Sequence, residues 1–197
     1  MRRFISAVLA SVMLSLLVLP CQAKPIRDNP QDEMIYVDYE EFHSNRAYYD
    51  TLLLQGYGIC VYVGDEYADK EIERLSQPVN TLHILTPSSQ SRGTSVPTAE
   101  LNIHAGYHFT CNANYDFIYT NYKFYGCLVY MFDGFNTDYS NNLRIRVFGT
   151  INGTVDYVVP PRSVLYKYFG VESESSRIFA GFYPPSHAYG EIYCIGH

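Results

Sequence analysis

Tryptophan is absent from this chain, and lysine is scarce, with four among 197 residues. The formal net charge is −6 and no basic run is present, which excludes nucleic acid as an expected partner. The lack of tryptophan removes the ring many sugar sites use for stacking. No pair among the five cysteines has C-x-x-C spacing, so a structural zinc site is not expected, and no other metal or cofactor is implied. No fixed-period repeat, charge block or linker divides the chain, which points to one domain. Beyond the first twenty or so residues no apolar run approaches the roughly 20 needed to span a bilayer, so no membrane insertion is expected.

What is present starts with "MRRFISAVLASVMLSLLVLPCQAKP". Arg2 and Arg3 precede an apolar run from Phe4 to Leu19, Pro20 breaks it, and small residues lead to Ala23. This order predicts a secretory signal peptide over residues 1–23, cleaved near Ala23, and a secreted or periplasmic product. A spanning helix is the poorer reading because the run is short, and lipid attachment at Cys21 is disfavoured by the bulk of Pro20. Residues 24–33 read as a flexible lead and 34–197 as a single domain.

Cleavage leaves Cys60, Cys111, Cys127 and Cys194. In an exported chain an even set of cysteines is expected to pair. Three connectivities are open. Chain order accommodates Cys111 with Cys127 across a local hairpin, and Cys60 with Cys194 tying the ends.

The periodicity predicts an α+β, β-rich domain of mostly antiparallel strands with one or two short helices in the first half. "MIYVDY" alternates as a strand, with Ile35 and Val37 opposite Tyr36 and Asp38. "EEFHSNRAYYDTLLLQGYG" has helical spacing, with Phe42, Ala47, Tyr48, Leu52 and Gln55 near one face and Gly56 as the stop. "DEYADKEIERLSQP" predicts a helix opened by Asp65 and closed by Pro78. Beyond it the chain reads as strands. Asn152-Gly153 is the strongest hairpin signal, and that turn also accounts for the glycosylation pattern at Asn152 to Thr154.

Aromatics are abundant, with 20 tyrosines and 11 phenylalanines, and "YDFIYTNYKFYGCLVYMFDGF" concentrates them from Tyr115 to Phe135. It reads as two strands broken near Thr120-Asn121 or Gly126, with Tyr115, Phe117 and Tyr119 sharing one face. Packing across strands explains such rings without a ligand. A binding platform also does, because tyrosine offers a flat ring and a hydroxyl at little entropic cost. Tyr115, Tyr119, Tyr122 and Tyr125 are the candidate anchors.

Catalytic patterns are weak. Cys60 and His187 have the residue types of a thiol–imidazole pair, but no Asn or Asp follows His187 to orient it. His83 and His108 stand in unequal His–Thr spacings, and His104 with His108 lacks a third metal ligand nearby. Glu40 with Glu41, and Glu172 with Glu174, are unspecific carboxylate pairs. The order of "IYVDY", "LLLQGYG", "LHILTPSSQS", "CLVYMFDGFN" and "VVPPRSVLYKYFGV" resembles the A-subunit-type ADP-ribosylating toxins. In that resemblance Val37 stands nearest the family's cofactor-binding arginine, Ser88 and Ser89 match its serine-rich element, and "TINGTVDYVV" lacks its Glu-x-Glu. The resemblance therefore implies the fold of a toxin component without catalysis. The composition implies instead an exported, disulfide-bonded protein that binds a protein or glycan surface.

Overall fold

The computed structural model describes residues 34–76, 82–85, 95–103 and 106–196, so the signal segment and the 24–33 lead lie outside the described residues. Strand β1 (Met34–Asp38) buries Val37 and leaves Tyr36 and Asp38 exposed, following its alternation. The helical stretch that follows is two helices, α1 (Tyr39–Ser44) and α2 (Arg46–Leu54), not one. Asn45 leaves helical geometry at φ −117°, ψ 30° and separates them. The break resets the helical phase: Phe42, Tyr49 and Leu53 face inward, whereas Tyr48, expected on that face, is 61% exposed. Gly56, at φ 95°, stops α2. The Tyr57 amide donates to the Leu52 carbonyl and the Gly56 amide to that of Leu53, the paired bonds of a Schellman end.

Strand β2 (Gly58–Tyr62) runs parallel to β1 and leads to α3 (Asp65–Ser76). The remaining strands are β3 (Leu82–Leu85), β4 (Glu100–Asn102), β5 (Tyr107–Ala113), β6 (Ile118–Tyr119), β7 (Lys123–Tyr125), β8 (Val129–Asn136), β9 (Leu143–Thr150), β10 (Gly153–Val159), β11 (Ser163–Gly170), β12 (Phe179–Tyr183) and β13 (Ser186–Gly196). The tyrosine-rich stretch, expected as two strands with one break, is three, β6, β7 and β8, because it breaks both near Thr120-Asn121 and at Gly126. The Asn152-Gly153 turn joins β9 to β10 as expected, with Gly153 at φ 82°.

Seven strands form one sheet in the order β1-β2-β11-β8-β13-β5-β3, antiparallel in the middle and parallel in its outermost pairs. A four-stranded antiparallel sheet, β10-β9-β12-β6, packs on one face, and the helices pack on the other. A short parallel pair, β4-β7, adjoins through a bridge between Phe124 and Ile178. The fold is therefore α+β and β-rich. Strand β8 shows why its sequence is almost wholly apolar: Tyr130 and Phe132 enter the core between the sheets, while Met131 and Phe135 enter the core under the helices.

The disulfide differs from either expected pair. Cys127 joins Cys194, whose Cα lies 5.8 Å away, and Cys60 and Cys111 remain buried thiols. Strand order decides this. β2 and β5 are four strand spacings apart, roughly 19 Å, beyond a disulfide's reach. Cys127 lies just before β8, which pairs with the end of β13 that carries Cys194.

Candidate functional site

The four-stranded sheet has one buried face and one facing solvent. Leu143, Ile145, Val147, Ala180 and Phe182 point inward. The alternate positions, Arg144, Arg146 and Phe148 on β9 and Phe179, Gly181 and Tyr183 on β12, therefore point outward. Phe117 and Tyr119 complete the surface at β6. The rings are continuous. Phe117 meets Tyr183 at 4.7 Å and Tyr119 at 4.8 Å, and Tyr119 reaches Phe148 at 5.9 Å and Phe179 at 6.0 Å. Phe148 and Phe179 are cross-strand neighbours stacked at 4.6 Å with their planes 8° apart. Gly181 makes room for this arrangement: a Cβ there would stand 2.3 Å from Cζ of Phe117.

Cations frame the rings. The Arg144 guanidinium lies 4.7 Å from the centre of the Tyr183 ring and that of Arg146 5.2 Å, while the Lys123 ammonium stands 6.0 Å over Phe179. Arg146 donates two 2.7 Å hydrogen bonds to Asp156, which hold its pKa up and that of Asp156 down. Arg144 forms no salt bridge among the described residues. In a chain of net charge −6, this face is locally cationic and aromatic.

The four candidate tyrosines do not form one site. Tyr119 belongs to this face. Tyr115 is 91% exposed and apart from the ring network. Tyr122 turns to the core, edge-on to Tyr107 at 5.9 Å, and Tyr125 lies under the Arg177 guanidinium at 4.3 Å. Phe148, Phe179 and Tyr183, with the arginines, were not legible as site residues, because their two strands, β9 and β12, meet only through strand order.

A second polar constellation is buried under α3. Tyr166, Asp133, Glu191 and His108 stand in register across β11, β8, β13 and β5 on the helix-facing side. Arg74 spans them from above. It donates to Asp133 Oδ2 at 2.9 Å, to Glu71 Oε2 at 3.0 Å and to the Tyr166 hydroxyl at 3.3 Å. Burial raises the Asp133 carboxyl to about 7; Arg74 opposes the rise and Glu191 adds to it. One oxygen of Asp133 makes no hydrogen bond. His108 bonds through Nδ1 to the Leu75 carbonyl at 2.8 Å, and its Nε2 lies 3.4 Å from Glu191. Tyr39 donates to the second Glu71 oxygen at 3.2 Å. Two signals in the sequence mark this network: Glu71 on the apolar stripe of α3 between Ala68 and Leu75, and Asp133 inside the apolar run of β8.

The remaining candidates are dispersed. Cys60 and His187 lie on β2 and β13, three strand spacings apart, and burial pushes the Cys60 thiol up to about 12, so no thiolate–imidazole pair forms. Glu40 and Glu41 lie in the first turn of α1 and accept hydrogen bonds from Tyr67 and Tyr49. Glu172 and Glu174 are exposed. Val37 faces the helices. Ser88, Ser89, His104 and the His83 side chain lie outside the described residues. No metal-binding group occurs among the described residues, and none of their helices is long and apolar enough to cross a membrane. No protein family, curated protein or solved structure matches the chain.

Proposed function

We propose that this is an exported binding protein that engages an acidic protein surface through the outer face of its four-stranded sheet. The observation that carries the proposal is the network of five half-exposed rings framed by Arg144, Arg146 and Lys123 on a rigid antiparallel sheet. Contiguous exposed apolar surface of this kind marks interaction sites, and tyrosine and arginine are enriched at the centres of protein interfaces. Ring geometry favours a protein over a glycan. Phe148 and Phe179 cover each other's faces, so they present edges to solvent rather than the flat platform a sugar stacks on. The cationic frame favours carboxylates on the partner. The Cys127–Cys194 bond accords with an oxidising compartment.

The test is a paired capture from envelope and host extracts with the wild-type protein and a Phe179→Ala/Arg144→Glu variant. A protein retained by the first and lost with the second is then purified, and its affinity is measured against salt. The expected result is affinity that falls with salt and drops at least about tenfold in the variant, as loss of a hot-spot ring implies. Identical capture by both proteins rejects the face. Binding to a glycan array, lost in the same variant, moves the reading to sugars.

A further inference from the structure

At the β1 end of the large sheet, on the side away from the helices, lies a cavity of about 320 Å³. Parallel pairing sets Tyr36 beside Cys60 and Asp38 beside Tyr62, and antiparallel pairing sets Ser163 beside Tyr62. The walls are Tyr36 and Tyr62, with Pro160 and Pro161, and Cys60 is the floor. Tyr36 is 64% exposed and Tyr62 55%, although Val37 beside the first and Val61 and Val63 beside the second are buried. The solvent-facing aromatic surface here is separate from the outer face of the small sheet, and the inference does not rest on that face.

Among the described residues that line the cavity, one carries a formal charge, Asp38. This residue occupies the N-cap position of α1 with suitable backbone angles, φ −78° and ψ 155°, where an aspartate ordinarily accepts a hydrogen bond from the helix's first turn. It makes no such bond, and Asp38 is one of the residues that line the cavity. No lysine or arginine is among the described residues that line it. The adjacent Arg162 is turned away to Asp65 at 3.0 Å. The Ser163 hydroxyl is spent on the Pro161 carbonyl at 3.2 Å. Burial, with a smaller contribution from Cys60, raises the Tyr36 phenol, and burial holds the Cys60 thiol neutral, so neither adds a second charge near neutral pH.

Two tyrosine rings, a carboxylate without a cation and a cavity between them form the constellation that holds an organic cation: the rings attract positive charge through their quadrupoles, and the carboxylate supplies the counter-charge. We infer that the Tyr36–Tyr62 cavity binds an alkylammonium or quaternary ammonium group carried by a small molecule.

Choline and its uncharged carbon isostere, 3,3-dimethylbutan-1-ol, separate charge recognition from mere apolar fit. Both are titrated into the isotopically labelled mature protein, and amide shifts around residues 36–38 and 60–63 are followed. Choline is expected to bind saturably and about tenfold or more tighter than the isostere, the difference that cation–π contacts of two rings imply. Tyr36→Leu and Tyr62→Leu, both at exposed positions, bring choline down to the isostere, and Asp38→Asn weakens choline alone. Tyr36→Phe keeps binding. Equal affinity for the two probes, no saturable shift with either, or choline binding unchanged in Tyr36→Leu overturns the inference.

Discussion

Replacing Asp133 with asparagine is expected to change how stability depends on pH more than it changes the fold. Asp133 is fully buried, and its carboxyl is raised from 3.8 to about 7. A raised carboxyl binds its proton more tightly in the folded state than in the unfolded one. Its contribution is therefore full below about 3.8, declines as pH rises, and is gone above about 7. Between pH 5 and 8 the loss works out at about 3 kcal/mol. Other groups bend the raw profile in the opposite sense. Asp156, held by Arg146, and Glu100, held by Arg177, are lowered and stabilise the fold as pH rises through their range. The informative quantity is thus the difference between the wild-type protein and Asp133→Asn, in which those contributions cancel.

Asparagine has nearly the same shape, and its carbonyl oxygen can still accept from Arg74. It carries no charge, so it mimics the protonated carboxyl at every pH. Urea unfolding followed by far-ultraviolet circular dichroism and tyrosine fluorescence, which no tryptophan obscures, gives the stability of both proteins at pH 5, 6, 7 and 8. The variant is expected to gain about 3 kcal/mol on the wild type across this range, most of it below pH 7. Parallel profiles from pH 5 to 8 would refute the reasoning, because a carboxyl that titrates in its usual range contributes no slope there.

Three further outcomes follow from the same geometry. Arg74→Met strands Glu71 and Asp133 without their cation and is expected to destabilise the protein by roughly 3–5 kcal/mol in urea at pH 8, more than at pH 5, where Asp133 is protonated. Thiol titration of the protein expressed from residue 24 onward, unfolded without reductant, is expected to find only Cys60 and Cys111, with Cys127 and Cys194 appearing after reduction; full pairing of all four would contradict the strand order. Removing the bond as Cys127→Ala/Cys194→Ala releases a loop of 67 residues and is expected to lower stability by about 4 kcal/mol on the chain-entropy account.

Much of the local structure was legible because local chemistry decides it. Alternation set Val37 and Tyr36 on opposite faces of β1, and the structure buries the first and exposes the second. Gly56 ended α2 because its positive φ suits the helix stop, and Asn152-Gly153 turned β9 into β10. The single helix expected before Gly56 failed for an equally local reason. Asn45 interrupts it, and a one-residue break rotates every later side chain, so Tyr49 and Leu53 are buried in place of Ala47 and Tyr48. The cysteine pairing was illegible on other grounds. Cys194 is 67 residues from its partner, and only the insertion of β13 beside β8 brings them together.

The candidate surfaces were hidden by the same dependence on strand order. Period-two alternation assigns Phe148 and Arg144 to one face of β9, and Phe179 and Tyr183 to one face of β12, yet it cannot say which face meets water. In the large sheet both faces are covered, so aromatic residues on β8 and β5 are core. In the small sheet one face is covered, so the same residue types on the other form a surface. The two proposed binding places are that outer face and the β1 end of the large sheet, where Tyr36 and Tyr62 remain exposed. Their charges are opposite in sign: Arg144, Arg146 and Lys123 frame the first, and Asp38 alone charges the second. One ligand chemistry cannot serve both, so added salt should weaken a carboxylate partner at the outer face and choline at the cavity alike, while choline and the carboxylate partner should not compete with each other.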